Sequence, residues 1–292
     1  DIDLHKHLIG QQGSRLALNT PVLVIDRDTL QRNIETMATF ARANKMALRP
    51  HAKTHKSVDI AKMQLAAGAV GVCCAKLGEA EALAEGGVQD ILITSPVVTP
   101  QAIARLVALN GRISALRVVT DNPDNVDALA AAAKAANQAL DVVVDIDPGI
   151  RRTGVPSAEA ALTLAQRIAA ADSLRFAGVQ YYCGVQQHIE SYADRRAAIV
   201  ERTEYLRSIV QLLESAGHKP DVVTGGGTGT PKVRLDHGIV EFKGAMSDGT
   251  VPTAFVLPAG LRPSAKVIIP VDLCSATNGR LVVKPDGSPG SA

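Results

Sequence analysis

Val142-Val143-Val144-Asp145-Ile146 is apolar and β-branched almost throughout. A strand with one wet face alternates apolar and polar residues. A run like this suits a parallel strand covered on both faces. Its neighbours repeat the arrangement. Upstream, an Ala-rich stretch opens at Pro123, which suits a first helical position because its missing N–H is harmless there, and runs to about 138. Downstream, a helical pattern near 157–170 leads to the strand-like run 176–181, and a long one near 192–216 buries Ile199, Leu206, Ile209, Val210 and Leu213.

The same alternation extends outward. Strand-like runs at 46–48, 70–74, 91–94, 115–119 and 221–224 alternate with helical patterns near 57–67, 78–85 and 100–109. Gly86-Gly87 ends one helix where glycine tolerates a left-handed turn. Before them, Val22-Leu23-Val24-Ile25 reads as a short strand, and Asp28 as the cap of a helix with Leu30, Ile34, Met37 and Ala41 on one face. Strands and helices joined by short connections argue for an α/β fold with parallel strands. Seven such steps plus one more strand fit a (β/α)8 TIM barrel. A doubly wound open sheet is the runner-up, but its glycine signal belongs at the first turn and here comes late.

After about residue 245 helical periodicity stops. Six prolines from Pro252 to Pro289 interrupt the β-like runs 254–257, 266–269 and 280–283. The predicted domains are an N-terminal extension over 1–20, a barrel over 21–244 and a small β-rich C-terminal segment over 245–292.

Composition narrows the partners. The 292 residues are 46% hydrophobic and 21% charged, with a formal net charge of +2. That balance suits a soluble globular protein and argues against nucleic acid or membrane as main partner. Aromatics at 3%, with no Trp, make a base-stacking platform a poor fit. Cys73, Cys74, Cys183 and Cys274 form no CxxC pair and read as buried thiols in a reducing cytosol. No apolar run approaches the ~18 residues of a membrane span, and no signal peptide is visible, so the expected location is cytoplasmic. Self-association is left open.

Chemistry is expected where barrel strands end. Arg49-Pro50-His51-Ala52-Lys53-Thr54-His55-Lys56 is either a solvated basic loop or a site for an anionic cofactor with one lysine as nucleophile. Arg49 and Lys56 are the cations that would lower that lysine's pKa. Asp145, Asp147 and Arg152 surround the loop Asp147–Gly154; Tyr181, Tyr182 and Cys183 end another strand, with Gln187 and His188 shortly after. Gly225-Gly226-Gly227-Thr228-Gly229-Thr230 reads as a turn or as a phosphate cup, since successive glycines let backbone N–H groups face an anion. An early lysine, a middle arginine and a late phosphate cup suggest pyridoxal phosphate. A Schiff-base aldolase without cofactor would also use a barrel lysine.

Taken together, the motifs 49–56, Gly71–Lys76, Glu79-Ala80-Glu81, Arg152-Thr153-Gly154 and 225–229 resemble the D-threonine aldolase group, with 3-hydroxy-D-aspartate aldolases and D-serine dehydratase-like enzymes. That group is alanine racemase-like, fold-type III. The resemblance covers about residues 15–244. It implies a barrel of the alanine racemase N-terminal type, pyridoxal 5'-phosphate on Lys53, its phosphate at Gly226, Gly227 and Thr228, Tyr182 near the cofactor, and Arg152 beside the ring or the substrate carboxylate. It moves strand 22–25 to a C-terminal β domain and makes 239–242 the eighth barrel strand. The implied reaction cleaves D-3-hydroxy amino acids, small-molecule substrates, to glycine and an aldehyde. The resemblance also implies a divalent metal, manganese or magnesium, but no His follows His237, so the family's metal motif is not found and no metal ligands are assigned. Slow cleavage that ignores added metal is the resulting expectation. Alternatives are a barrel that binds the cofactor with little activity, or with only racemase or dehydratase activity, and a scaffold for residues 245–287, which resemble the β segments of phage tail fibres.

Overall fold

The computed structural model describes residues 4–227, 230, 241–242, 267–272, 278–283 and 289–290. The chain divides into two compact units, Asp1–Met246 and Ser247–Ala292. In the first, helices α1 (Arg27–Ala43) and α2 (Val58–Ala66) precede β1 (Val72–Cys74), and strict alternation follows: α3 (Leu77–Glu85), β2 (Asp90–Ile93), α4 (Pro100–Asn110), β3 (Ala115–Thr120), α5 (Pro123–Ala135), β4 (Leu140–Asp145), α6 (Ala158–Ala169), β5 (Leu174–Tyr181), α7 (Tyr192–Ser215) and β6 (Val222–Gly225). β7 (Glu241–Phe242) adds to the far edge. All seven strands are parallel and lie in chain order. On the near edge an extended segment at 48–52 runs beside β1, through Val70 N–H to Leu48 O, Cys73 N–H to Pro50 O and Ala52 N–H to Cys73 O.

Local chemistry starts the helices where the sequence predicts them. The side chains of Ser57, Thr99, Asn122, Ser157 and Ser191 each accept a backbone N–H in the first turn of α2, α4, α5, α6 and α7. Two expectations are corrected. The cap of α1 is Asp26, whose carboxylate accepts from Thr29 N–H at 2.7 Å; Asp28 is already inside the helix. Residues 22–25 pair with no strand among the described residues and are exposed, with Leu23 99% accessible. β propensity without a neighbouring edge to bond does not make a strand. The N-terminal extension holds two short 3-10 turns, Lys6–Leu8 and Ser14–Ala17.

Alternation sorts each strand into two faces. One packs under the helices: Val72, Cys74, Ile91, Ile93, Val118, Val142, Val144 and Val179 join Leu83, Leu106, Leu129 and Ile168 in one core. The other is layered. At the strand starts, Asp90 pairs with Arg49 and Arg117, and Asp141 with Arg175. Cys73, Leu92, Val119, Val143 and Ala177 form an apolar layer above. Polar residues follow at the strand ends. There Gln180 Nε2 of β5 donates to Thr94 O, just past β2, at 3.2 Å. Strands three places apart in a flat sheet lie roughly 14 Å from each other, so the sheet is rolled.

β5 carries one irregularity that decides what faces the inside. Its pairing with β4 slips between Val142 and Val143: Phe176 opposes Val142, but Gly178 opposes Val143. One extra residue reverses the facing of everything beyond it. Before the bulge Arg175 and Ala177 face inward; after it Gln180 and Tyr182 do, and Tyr181 turns out among the helices against Tyr205. Gly178 has φ +143°, and a Cβ there would collide with the Val222 carbonyl. Only glycine fits.

The second unit contains β8 (Val267–Asp272), β9 (Asn278–Val283) and β10 (Pro289–Gly290) in an antiparallel sheet of order β10-β9-β8. These match the β-like runs at 266–269 and 280–283; the run at 254–257 lies outside the described residues.

Gly178→Ala should cost at least about 2 kcal/mol, from strain at positive φ and the clash with β6. Urea denaturation measures it. A loss under about 0.5 kcal/mol would show that the bulge accepts a side chain.

Candidate active site

Three elements bring their ends together on the rolled face. Lys53 follows the segment at 48–52, Arg152 sits in the loop between β4 and α6, and Tyr182 follows β5. Lys53 Nζ lies 6.0 Å and the Arg152 guanidinium carbon 5.4 Å from the centre of the Tyr182 ring. An open cleft beside them is lined by Asp145, Ile146, Pro148, Ile150, Thr153 and the same Tyr182 and Arg152.

Each group is held by neighbours whose contacts the sequence did not show. Gln187 Nε2 donates to the Tyr182 hydroxyl at 2.8 Å, and its other end abuts Gly227, where a Cβ would strike Gln187 Oε1. Gln187 therefore joins the tyrosine to the glycine turn. That turn follows β6: Gly226 has φ +90°, and Gly227 N–H donates to Thr230 Oγ1 at 3.3 Å. Thr228, expected at a phosphate, lies outside the described residues.

The loop carrying Arg152 is fastened by three carboxylates. Asp147 Oδ1 accepts the N–H groups of Gly149, Ile150 and Arg151 at 2.8–3.0 Å. Asp145 Oδ2 accepts from Thr153 Oγ1, and Asp121 Oδ2 from Gly154 N–H, both at 2.8 Å. Arg152 thus stands between residues whose positions are set on both sides. On the lysine side, Lys53 N–H donates to His51 Nδ1 at 3.3 Å, and His51 Nε2 lies 3.2 Å from Thr94 Oγ1. That hydroxyl donates to Cys74 O, so it accepts from the ring, which fits a proton on Nε2.

One expected role is corrected. Arg49 is not a cation beside Lys53: it is buried at the opposite end of the strand, on Asp90 at 2.5 Å. Lys56, at φ +48°, begins the turn into α2. The thiols of Cys73, Cys74 and Cys183 are buried, and burial pushes Cys74 far above the ordinary thiol range. Among the described residues, no three His, Cys, Asp or Glu side chains gather into a metal site.

With this geometry in view, the relatives are informative. A sequence model described as the alanine racemase N-terminal domain matches residues 25–233. The chain belongs to that family. It is 41% identical over 223 residues to the 3-hydroxy-D-aspartate aldolase of Paracoccus denitrificans (strain Pd 1222), covering 76% of this chain and 58% of that protein. It is 37% identical over 231 residues to the D-threonine aldolase of an Arthrobacter species, covering 79% and 61%. The crystal structure of D-threonine aldolase from Filomicrobium marinum superposes with a TM-score of 0.75 at 35% identity, over 78% of this chain and 62% of that one. The chain thus has an alanine racemase-like α/β fold and spans about three fifths of the length of these relatives.

His55, next to the lysine, makes a pH prediction. Its burial holds its pKa below the usual histidine value, and Ser57 N–H, donating to Nδ1 at 3.1 Å, occupies a lone pair that the neutral ring offers. The unfolded chain then binds more protons just below the ordinary value of ~6.5, so stability should fall as pH drops through that range. His55→Asn, which can still accept from Ser57 N–H, should flatten the urea midpoint between about pH 7 and 5.5. An unchanged slope would contradict this.

Proposed function

We propose that this chain is a pyridoxal phosphate-dependent lyase of the D-threonine aldolase type, cleaving D-3-hydroxy amino acids to glycine and an aldehyde. The observation that carries the reading is two cations, Lys53 and Arg152, over one aromatic face, Tyr182. A flat, anionic ring compound suits that arrangement. The glycine turn at 225–227, linked to the same tyrosine through Gln187, suits its phosphate.

In this reading Lys53 is the catalytic and cofactor-bearing amine. Gly226, Gly227 and Thr228 hold the phosphate, Tyr182 packs beside the ring, and Arg152 sets the orientation of the ring or of the substrate carboxylate. When bound, pyridoxal phosphate supplies an electron sink for bonds broken at the amino acid's α-carbon. Three relatives are named as aldolases of D-threonine or 3-hydroxy-D-aspartate, and a fourth, 34% identical, as a D-threo-3-hydroxyaspartate dehydratase from Delftia. Manganese or magnesium would stabilise the alkoxide of the β-hydroxyl, but no ligands for either are assigned in this chain, so cleavage is expected to be slow and indifferent to added metal. We take residues 21–244 as the barrel, closed by a complete set of eight strands, and 245–292 as a separate β segment. No described helix is long and apolar enough to cross a membrane. A cytoplasmic location and a small amino acid substrate complete the reading.

Three measurements test it. Incubation with pyridoxal phosphate, borohydride reduction and peptide mapping should place the label on Lys53. Gly226→Asp, a charged side chain at positive φ, should weaken cofactor binding about tenfold or more. A label on Lys56 or Lys76, or none, would overturn the assignment. D-Threonine with and without manganese should give glycine and acetaldehyde, slowly and at equal rates. An L-isomer, or ammonia with a keto acid, would instead indicate a racemase or a dehydratase.

A further inference from the structure

Lys53 and Arg152 come from different strand ends, 99 residues apart by number (152 − 53). A buried chain of hydrogen bonds connects them. Lys53 N–H donates to His51, and the His51 ring meets Thr94. Gln180 Nε2 donates to both Thr94 O and Asp145 Oδ1, at 3.2 and 2.7 Å. The other oxygen of Asp145 accepts from Thr153, the neighbour of Arg152. Gln180 is 1% exposed, and Asp145 3%.

We infer that Gln180 is a positioning residue: its one amide nitrogen locks the lysine loop and the arginine loop into a fixed separation. Three points support it. Gln180 faces inward only because of the bulge at Gly178, a position at φ +143° that only glycine fits; a regular strand would point Gln180 at the helices. Its amide is the point at which β2, β4 and β5 meet across the rolled face. A buried carboxylate such as Asp145 is costly unless its oxygens are bonded, so the bridge resists opening. The lysine amine and the arginine guanidinium must face one small ligand together. Their backbones being joined removes the loop motion that would otherwise have to be frozen on binding.

The inference rests on the cofactor reading for its purpose, but its physical content does not. The test therefore cuts the chain at one end and reads the other in cofactor-free protein. Thr153→Val keeps the side chain's shape and removes the hydroxyl that bonds Asp145. Amide hydrogen exchange in a peptide covering residues 51–56 should speed up by about fivefold or more, while exchange in α5 stays unchanged. Gln180→Met, of similar volume, should speed exchange in both loops. It should also weaken pyridoxal phosphate binding about tenfold, with the double variant no worse than the poorer single one. If residues 51–56 exchange at the wild-type rate in folded Thr153→Val, the loops are independent and the inference falls. Full cofactor affinity in folded Gln180→Met would overturn it equally. A wild-type chain that takes up no pyridoxal phosphate would instead refute the functional reading, and the exchange measurement would still judge the bridge.

Discussion

The site depends on a one-residue slip in a single strand. β5 enters the sheet with odd-numbered residues inward and leaves it with even-numbered ones inward, because Ala177 and Gly178 together oppose Val143. Without the slip, Tyr181 would stand where Tyr182 does, and Gln180 would be buried against helices with no polar partner. With it, a hydroxylated ring faces Lys53 and Arg152, and an amide reaches across to Thr94 and Asp145. The cost is a glycine at positive φ pressed on the neighbouring strand.

Above and below that slip the inner face divides its work. The strand starts hold Arg49, Asp90, Arg117, Asp141 and Arg175 in one ion-pair network. A thin apolar layer separates these pairs from the polar strand ends. At the other end Lys53 and Arg152 are exposed, within reach of a ligand. The helices on the outer face contribute the apolar core and little to the chemistry; their caps fix where each strand-end loop must stop.

Much of this was legible in the sequence. The helices α2 to α7 lie where apolar spacing puts them, since that signal is local. Lys53, Arg152, Tyr182 and the glycine turn stand out because chemistry-bearing residues fall at strand ends. The bulge was not legible: Phe176-Ala177-Gly178-Val179-Gln180 reads as an ordinary strand, and a phase slip shows only against a partner's register. Nor was the role of Gln187, whose partners Tyr182 and Gly227 come from separate loops. Arg49 misled because a cation near in sequence to Lys53 lies at the other end of the strand. Residues 22–25 misled because β-branched composition alone supplies no partner.

The central claim is that Lys53, Tyr182, Arg152 and the glycine turn form one site for one ligand. The most direct measurement is a crystal structure of the chain grown with pyridoxal phosphate. The account predicts continuous density from Lys53 Nζ to a ring lying on Tyr182, with Arg152 at the ring edge and the phosphate at Gly226 and Gly227. A ring bound to another lysine, or a phosphate held away from the glycine turn with Lys53 facing solvent, would contradict it.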